Sequence, residues 1–465
     1  MPAPCEAVDP AEVPVVAPPG LPMVPERRAQ GRTFRSLRNR NYRLYFTGQL
    51  ISQIGTFMQL VGQAWLVLDI TGSGSALGLV VTLQYLPSLL LAGLVGLCVD
   101  RLPRRRLYVV TQSLGGLAAL VLGVLTVTDV VELWMVYVLA GLLGVITAFD
   151  QTTKTTLMLD IVEPDDVTNA VGLNMALTNA GRVLGPALAG VIISALGMAA
   201  CFLLNAASFG AVLVAIALMR SSELRVATPQ ARAKGQLLEG FDYVRRTPNL
   251  LAILALCSVL FAFAWEWEVF LPLLARESFG GGAGMFSTFL ALVGIGAVVG
   301  AIYMARHDDP SPVFVGRSSA LFALALLAAG VSPHPILAGG FLAMAGAVGT
   351  ASMACASATL QVQSAPELRG RVMALWIVAA VGSRPLGAPL VGWVSERFGP
   401  RYGMALGATI VLLVGVPLWE WLRQRAPTTG LRTGTMAKAP LPGHQTVGSE
   451  RARSLPTTIT TGVPR

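Results

Sequence analysis

Charge is what this 465-residue chain has little of: 13% of its residues are Asp, Glu, Lys or Arg, against about 25% in an ordinary soluble domain. With 54% of residues hydrophobic, that scarcity argues against a soluble globule. Cysteine is sparse as well. Cys5, Cys98, Cys201, Cys257 and Cys355 are scattered singly, with no C-x-x-C pair and no histidine at ligand spacing, so neither a disulfide framework nor a metal site is expected. All three histidines, His307, His334 and His444, fall between or beyond the apolar runs, which leaves an intramembrane hydrolase without a base for its nucleophile. There is no H-E-x-x-H and no P-loop, which disfavours ATP-driven pumping by this chain alone. The first 25 residues lack the basic-then-apolar order of a secretory signal.

Long apolar runs are abundant. Bounded by charge, Pro or Gly, they fall near 43–68, 76–98, 107–127, 134–157, 170–195, 199–219, 250–274, 285–304, 315–331, 336–358, 372–394 and 402–422. At about 20 residues per crossing, these predict twelve transmembrane helices, an all-α polytopic membrane protein. The net charge of +9 is then explained by topology rather than by nucleic acid. With the N-terminus inside, 29 of the 34 Lys and Arg residues fall in cytoplasmic segments; Arg276, Arg397 and Arg401 fall outside, and Arg182 and Arg384 sit within spans. Both termini are therefore expected to be cytoplasmic, in the cell membrane.

The longest polar interruption, 220–248, divides the spans six and six. The reading is a disordered tail at 1–33, one six-helix bundle at 34–219, a cytoplasmic linker at 220–248, a second bundle at 249–423 and a disordered tail at 424–465. The bundles are related by an ungapped offset of 202 residues: Pro164 aligns with Pro366, Arg182 with Arg384, Gly185 with Gly387, Gly190 with Gly392 and Gly197 with Gly399. Parallel repeats of this kind build a transporter architecture with the substrate site between the halves.

The first span carries Gln49, Ser52, Gln53, Thr56, Gln59 and Gln63 within an arc of about 120°. Such a face lines a cavity or bonds to other helices; the number of groups favours the cavity. Gly48, Gly55 and Gly62 form an adjacent stripe for close helix contact. Gly294, Gly296 and Gly300 follow no strand, so they read as helix packing rather than a nucleotide loop.

Between the second and third spans, GLCVDRLPRRR resembles the signature loop of the major facilitator superfamily, with Gly96, Asp100, Arg101, Arg104 and Arg105 matching and Pro103 in place of the usual Gly. In the fifth span Gly172, Gly181, Gly185, Pro186 and Gly190 follow the antiporter motif of that superfamily's drug exporters, with Ala189 replacing one glycine. The stretches SLRNRNYR, LVLDITGS, LNMALTNAGRVLGPALAG, FLLNAASF and EGFDYVRRTP resemble the branch of enterobactin-exporter-like and macrolide-type efflux proteins, from about 34 to 422. The resemblance implies a siderophore or drug exporter driven by proton exchange. It also implies that Asp150, at the inner end of the fourth span, helps hold the signature-loop arginine, so that Asp100, Arg104 and Asp150 are expected to form a cytoplasmic latch of the outward-facing state; a plain Asp150–Lys154 helix pair is the alternative.

Charges inside spans are functional candidates. Arg182 lies about 18 Å into the fifth span. Glu266 and Glu268 in the seventh are about 200° apart on a regular helix, so they are not expected to share a face. Glu266 reads as a proton-titrating group or a structural ion-pair partner, and Glu266 and Arg182 are the leading candidates for proton coupling. The expected activity is export of a hydrophobic or amphiphilic small molecule, with protons and the lipid bilayer as partners, no cofactor, no metal, no nucleic acid and a monomeric working unit. An importer, or a receptor without transport, would share the fold.

Overall fold

The computed structural model describes residues 34–223, 236–306 and 311–425. The expected tails, 1–33 and nearly all of 424–465, lie outside the described residues, as does part of the 220–248 linker. The described residues are helical throughout: α1 Arg40–Thr71, α2 Gly74–Leu90, α3 Ala92–Arg101, α4 Arg104–Val127, α5 Leu133–Ile161, α6 Val167–Leu196, α7 Met198–Ala217, α8 Gln236–Arg246, α9 Pro248–Phe263, α10 Trp267–Leu273, α11 Ala283–Ala305, α12 Pro312–Val331, α13 Pro335–Gln363, α14 Arg369–Gly382, α15 Arg384–Phe398 and α16 Pro400–Arg425. Among the described residues eleven spans are long and apolar enough to cross a membrane, and α2 with α3, bent by 57°, makes twelve when the pair is counted as one span.

Local chemistry sets the boundaries. The Asn39 side chain accepts from the Tyr42 amide to cap α1, Ser73 does the same for α2 through Ala76, and prolines open α9, α12, α13 and α16, where a missing N–H costs nothing. Gly197 (φ 82°, ψ 171°) and Gly399 (φ 102°, ψ 154°) turn the chain after α6 and α15. That backbone region is closed to residues with a Cβ, and its use at two positions 202 apart shows the repeat in the backbone itself.

The two ends of the bundle differ. Call the end where α1 begins, which carries Arg40, Arg101 and Arg104, the basic face. Toward it each half has its own apolar core: Tyr42, Tyr108, Leu157 and Ile216 in the first, Leu250, Leu256, Val315 and Leu360 in the second. Toward the opposite face one core runs through both, joining Leu77 and Val81 to Leu273, Ala388 and Val391. Two seams close that end. A Cβ on Gly392 would collide with the Gly74 carbonyl, and one on Gly78 with that of Ala388, so α15 lies backbone to backbone on α2. The symmetry-related seam puts Gly190 of α6 against Ser287 of α11. The halves are thus closed at the opposite face and parted toward the basic face.

Candidate functional site: a buried charge cluster at mid-span

The site is built where two spans break. In the seventh span α9 stops at Phe263; the Ala264 and Trp265 amides both return to the Leu260 carbonyl, each at 3.0 Å, and Glu266 opens α10 with φ −91° and ψ 56°. The carbonyls of Ala262 and Phe263, freed by the break, are met by Gly387 of α15 and Gly407 of α16, where a Cβ would collide with each. Trp265 stacks on Phe322 at 5.7 Å and fixes the turn from the other side. In the eleventh span α14 ends at Gly382, Ser383 donates back to the Ala379 carbonyl at 2.6 Å, and Arg384 is the first residue of α15.

These breaks bring three charges together. Arg384 Nε donates to Glu266 Oε1 at 3.2 Å and its Nη2 to Glu266 Oε2 at 3.0 Å; the same Nη2 also donates to Glu268 Oε2. The guanidinium lies 4.1 Å over the ring of Tyr85 of α2. Glu266 is 0% exposed, the Arg384 side chain 8% and that of Glu268 15%. Taking such charges out of water costs several kcal/mol apiece, offset only by geometry of this quality, a bidentate pair with a second carboxylate.

One expectation is corrected here. The glutamates do meet one partner, because the helix that would have set them about 200° apart is interrupted between 263 and 267. The ion-pair partner of Glu266 is Arg384. Arg182, in the unbroken α6, has its guanidinium 6.0 Å from the Phe57 ring and makes no hydrogen bond or ion pair among the described residues. The ionisable groups that face it are Tyr85 and Glu268.

The polar face of α1 is mostly consumed inside the first half, which corrects its reading as cavity lining. Gln49 donates to the Tyr108 hydroxyl of α4, Gln59 accepts from Asn205 of α7 at 2.6 Å, Gln63 accepts from Gln84 of α2 at 3.2 Å, and Gln53 reaches Thr178 of α6 at 3.4 Å. Ser52 is buried; Thr56 is exposed and Gln53 half-buried. Each neighbouring helix supplies a polar residue at the matching depth, so the amides act as interhelical bonds. Gly48, Gly55 and Gly62 pack on α7. Of the antiporter motif, Gly181 and Gly185 seat α6 on Gln53 and Phe57 of α1, Pro186 lies within α6, Gly190 lies at the seam, and Gly172 has open space around it.

At the basic face Arg104 pairs with Asp160 at 2.6 Å, not with Asp150, which instead accepts from Thr111 at 3.1 Å and Gln112 at 2.6 Å. Nor does Asp150 pair with Lys154, which is 7% exposed and has no ion pair among the described residues. Arg105 donates to the Ile216 carbonyl at 2.8 Å, Arg101 is exposed, Gly96 is buried, and the side chain of Asp100 lies outside the described set. Arg384, Glu268, Tyr85 and Asp160 were not singled out as site residues from sequence. For Arg384 the signal was present, a second arginine inside a span at the repeat offset.

Residues 32–434 match the family described as transmembrane secretion effector. The chain belongs to that family. Among proteins similar to this chain, the Staphyloferrin A transporter of Staphylococcus aureus is 24% identical over 63% of this chain and 74% of its own. Macrolide efflux protein A of Streptococcus pyogenes is 21% identical over 81% of this chain and 95% of its own. The fold is shared with a bacterial homolog of the human lysosomal transporter Spinster, solved inward-facing and unoccupied, at a TM-score of 0.65 and 13% identity, over 82% of this chain and 96% of that one. The protein is a major facilitator transporter, not an enzyme.

Proposed function

We propose that the protein exports a hydrophobic or amphiphilic small organic molecule, of siderophore, antibiotic or drug-like type, in exchange for protons by alternating access. The observation that carries the coupling is the mid-span trio Glu266–Arg384–Glu268. One guanidinium between two carboxylates leaves one negative charge in excess where dielectric screening is weakest, and a proton on either carboxylate removes it. A proton-loaded trio also frees one carboxylate from Arg384, which loosens α10 from α15 next to the seam that closes the opposite face. The proton gradient supplies the energy without a cofactor, and the working unit is one chain in the bilayer.

The basic face is cytoplasmic in this reading, since positive residues collect there. The described state is then inward-facing, and its closed seams α2–α15 and α6–α11 are the external gate. The Arg104–Asp160 ion pair joins α4 to α5 within the first half and is formed in this state, so it positions the signature loop and is not a latch that opening to the cytoplasm must break. A cysteine at His334 should react with an impermeant thiol reagent from outside and one at Glu163 should not; reversed labelling would overturn the orientation. For coupling, Glu266→Gln in proteoliposomes should bind substrate yet lose at least tenfold of gradient-driven export. Unchanged export with unchanged pH dependence would remove Glu266 from the coupling site.

A further inference from the structure

We propose that Arg182 is the recognition point for an anionic head group, so that the molecules this transporter accepts include amphiphiles carrying a carboxylate or a similar delocalised oxyanion. The proposal deepens the export reading and rests on it only for the direction of movement.

An arginine keeps its charge under all physiological conditions, and at the centre of a span it carries an insertion cost of roughly 2.5–3.5 kcal/mol. The protein meets that cost for Arg384 with three hydrogen bonds to two carboxylates. For Arg182, at the same place in the repeat, it supplies no acceptor among the described residues and only the edge of an aromatic contact with Phe57. Glu268 is the carboxylate facing it, and Glu268 is already bonded to Arg384. Five N–H donors and a full positive charge, on a half-buried side chain, are thus left without a protein acceptor among the described residues, beside Tyr85 of α2 and Glu268 of α10.

The backbone at Arg182 is held in place. Gly181 before it and Gly185 after it hold α6 against the backbone of α1, and a Cβ on Gly294 of α11 would stand 2.8 Å from the Arg182 carbonyl, which fixes Arg182 at the level of the seam between the halves. Near it lies the Phe57 ring, which suits an apolar body, and one turn away on α1 is the half-buried Gln53, which meets α6 at Gly181 and Thr178. A neutral hydroxyl offers the guanidinium one acceptor and no charge, and a cation would be repelled. A carboxylate supplies a charge and two parallel hydrogen bonds where Glu268, bonded to Arg384, gives Arg182 no direct partner. Because Glu268 faces Arg182 and is bonded to Arg384, the charge of an anion held at Arg182 is felt by the trio assigned to proton exchange.

The experiment uses three fluorescent probes with one apolar body: 1-pyrenebutyrate, the matching alcohol and the matching amine. Binding is measured to the full purified chain in neutral detergent, with no gradient present. The wild-type protein should bind the carboxylate at least tenfold more tightly than the alcohol, and the amine most weakly. Arg182→Gln should reduce the carboxylate to the affinity of the alcohol while leaving the alcohol itself unchanged, and Arg182→Lys should retain part of the preference. Equal affinity of wild type for carboxylate and alcohol would overturn the proposal, as would a carboxylate preference that survives Arg182→Gln. Absence of transport of a carboxylate that does bind would instead count against the export reading, which keeps the two failures apart.

Discussion

Arg182 and Arg384 occupy one position in two copies of the same unit. Their helices start at Val167 and Arg369, end at Leu196 and Phe398, and are followed by Gly197 and Gly399 with matching positive φ. Yet α6 runs unbroken through Arg182, whereas the second copy breaks at Ser383 and hands Arg384 to two glutamates. The neighbour decides the difference: α1 is a continuous helix opposite α6, while α9 stops at Phe263 opposite α15 and releases carbonyls and carboxylates. Repetition has preserved the scaffold, and specialisation has come from one interruption in the partner helix.

The comparison can be broken most directly by removing each arginine. Arg384→Gln leaves Glu266 and Glu268 buried without a cation, a loss of about 3–5 kcal/mol, read as a large drop in the thermal midpoint of the detergent-solubilised chain. Arg384→Gln combined with Glu266→Gln should recover part of it. A midpoint unchanged by Arg384→Gln alone would mean that the trio is not formed in the membrane protein.

Next come the glycines three residues further on. Gly185 and Gly387 both seat their helix on the first helix of their own half, against Phe57 and against the Ala262 carbonyl respectively. Gly387→Ala should cost about 1–3 kcal/mol, because the freed backbone carbonyl has nowhere to move. Gly185→Ala, which meets a side-chain carbon at 2.5 Å but also the Ile54 carbonyl at 2.9 Å, should cost less. Equal losses would show that the break in the seventh span is not the rigid element.

A smaller effect is expected at Ser194 and Glu396. Ser194 bonds its own helix through the Gly190 carbonyl, whereas Glu396 crosses the seam to Ser73 Oγ at 2.7 Å and the Ser75 amide at 2.9 Å, at the start of α2. Glu396→Gln should shift spin-label distances across the opposite face toward opening by less than about threefold in population, the scale of an exposed charged contact; Ser194→Ala should leave them unchanged. The smallest loss of stability is expected for Arg182→Gln, at most about 0.5 kcal/mol, since no protein acceptor is lost and a costly mid-span charge is removed. A loss comparable to that of Arg384→Gln would place a protein partner on Arg182.

The spans and the repeat were legible because hydropathy and an ungapped offset act over long windows. The site was legible only in part. FAFAWEWEVF reads as one helix, and the break inside it depends on Gly387 and Gly407, more than 100 residues away in sequence, being able to approach the exposed carbonyls. The amides of α1 were rightly placed on one face, but their partners, Tyr108, Gln84, Thr178 and Asn205, are scattered single residues without a pattern of their own. Asp160 escaped notice for a related reason. It lies almost three turns beyond Asp150 on the same helix, and the depth at which Arg104 enters depends on the path of the loop before it.

The short helix α8 bears on the order in which the chain is made. Its contacts are with the second half: Glu239 pairs with Arg371 at 2.5 Å, and the Tyr243 hydroxyl accepts from the Ala365 amide, 122 residues downstream. At about 5–20 residues per second, a ribosome delivers that partner on the order of 6 to 25 s after α8 has emerged. During that interval the first six spans are complete and α8 has no dock. With Val244 on its buried side and Arg245, Arg246 and Asp242 exposed, it can rest at the lipid headgroups until then, a molecular bookmark between two rounds of membrane insertion.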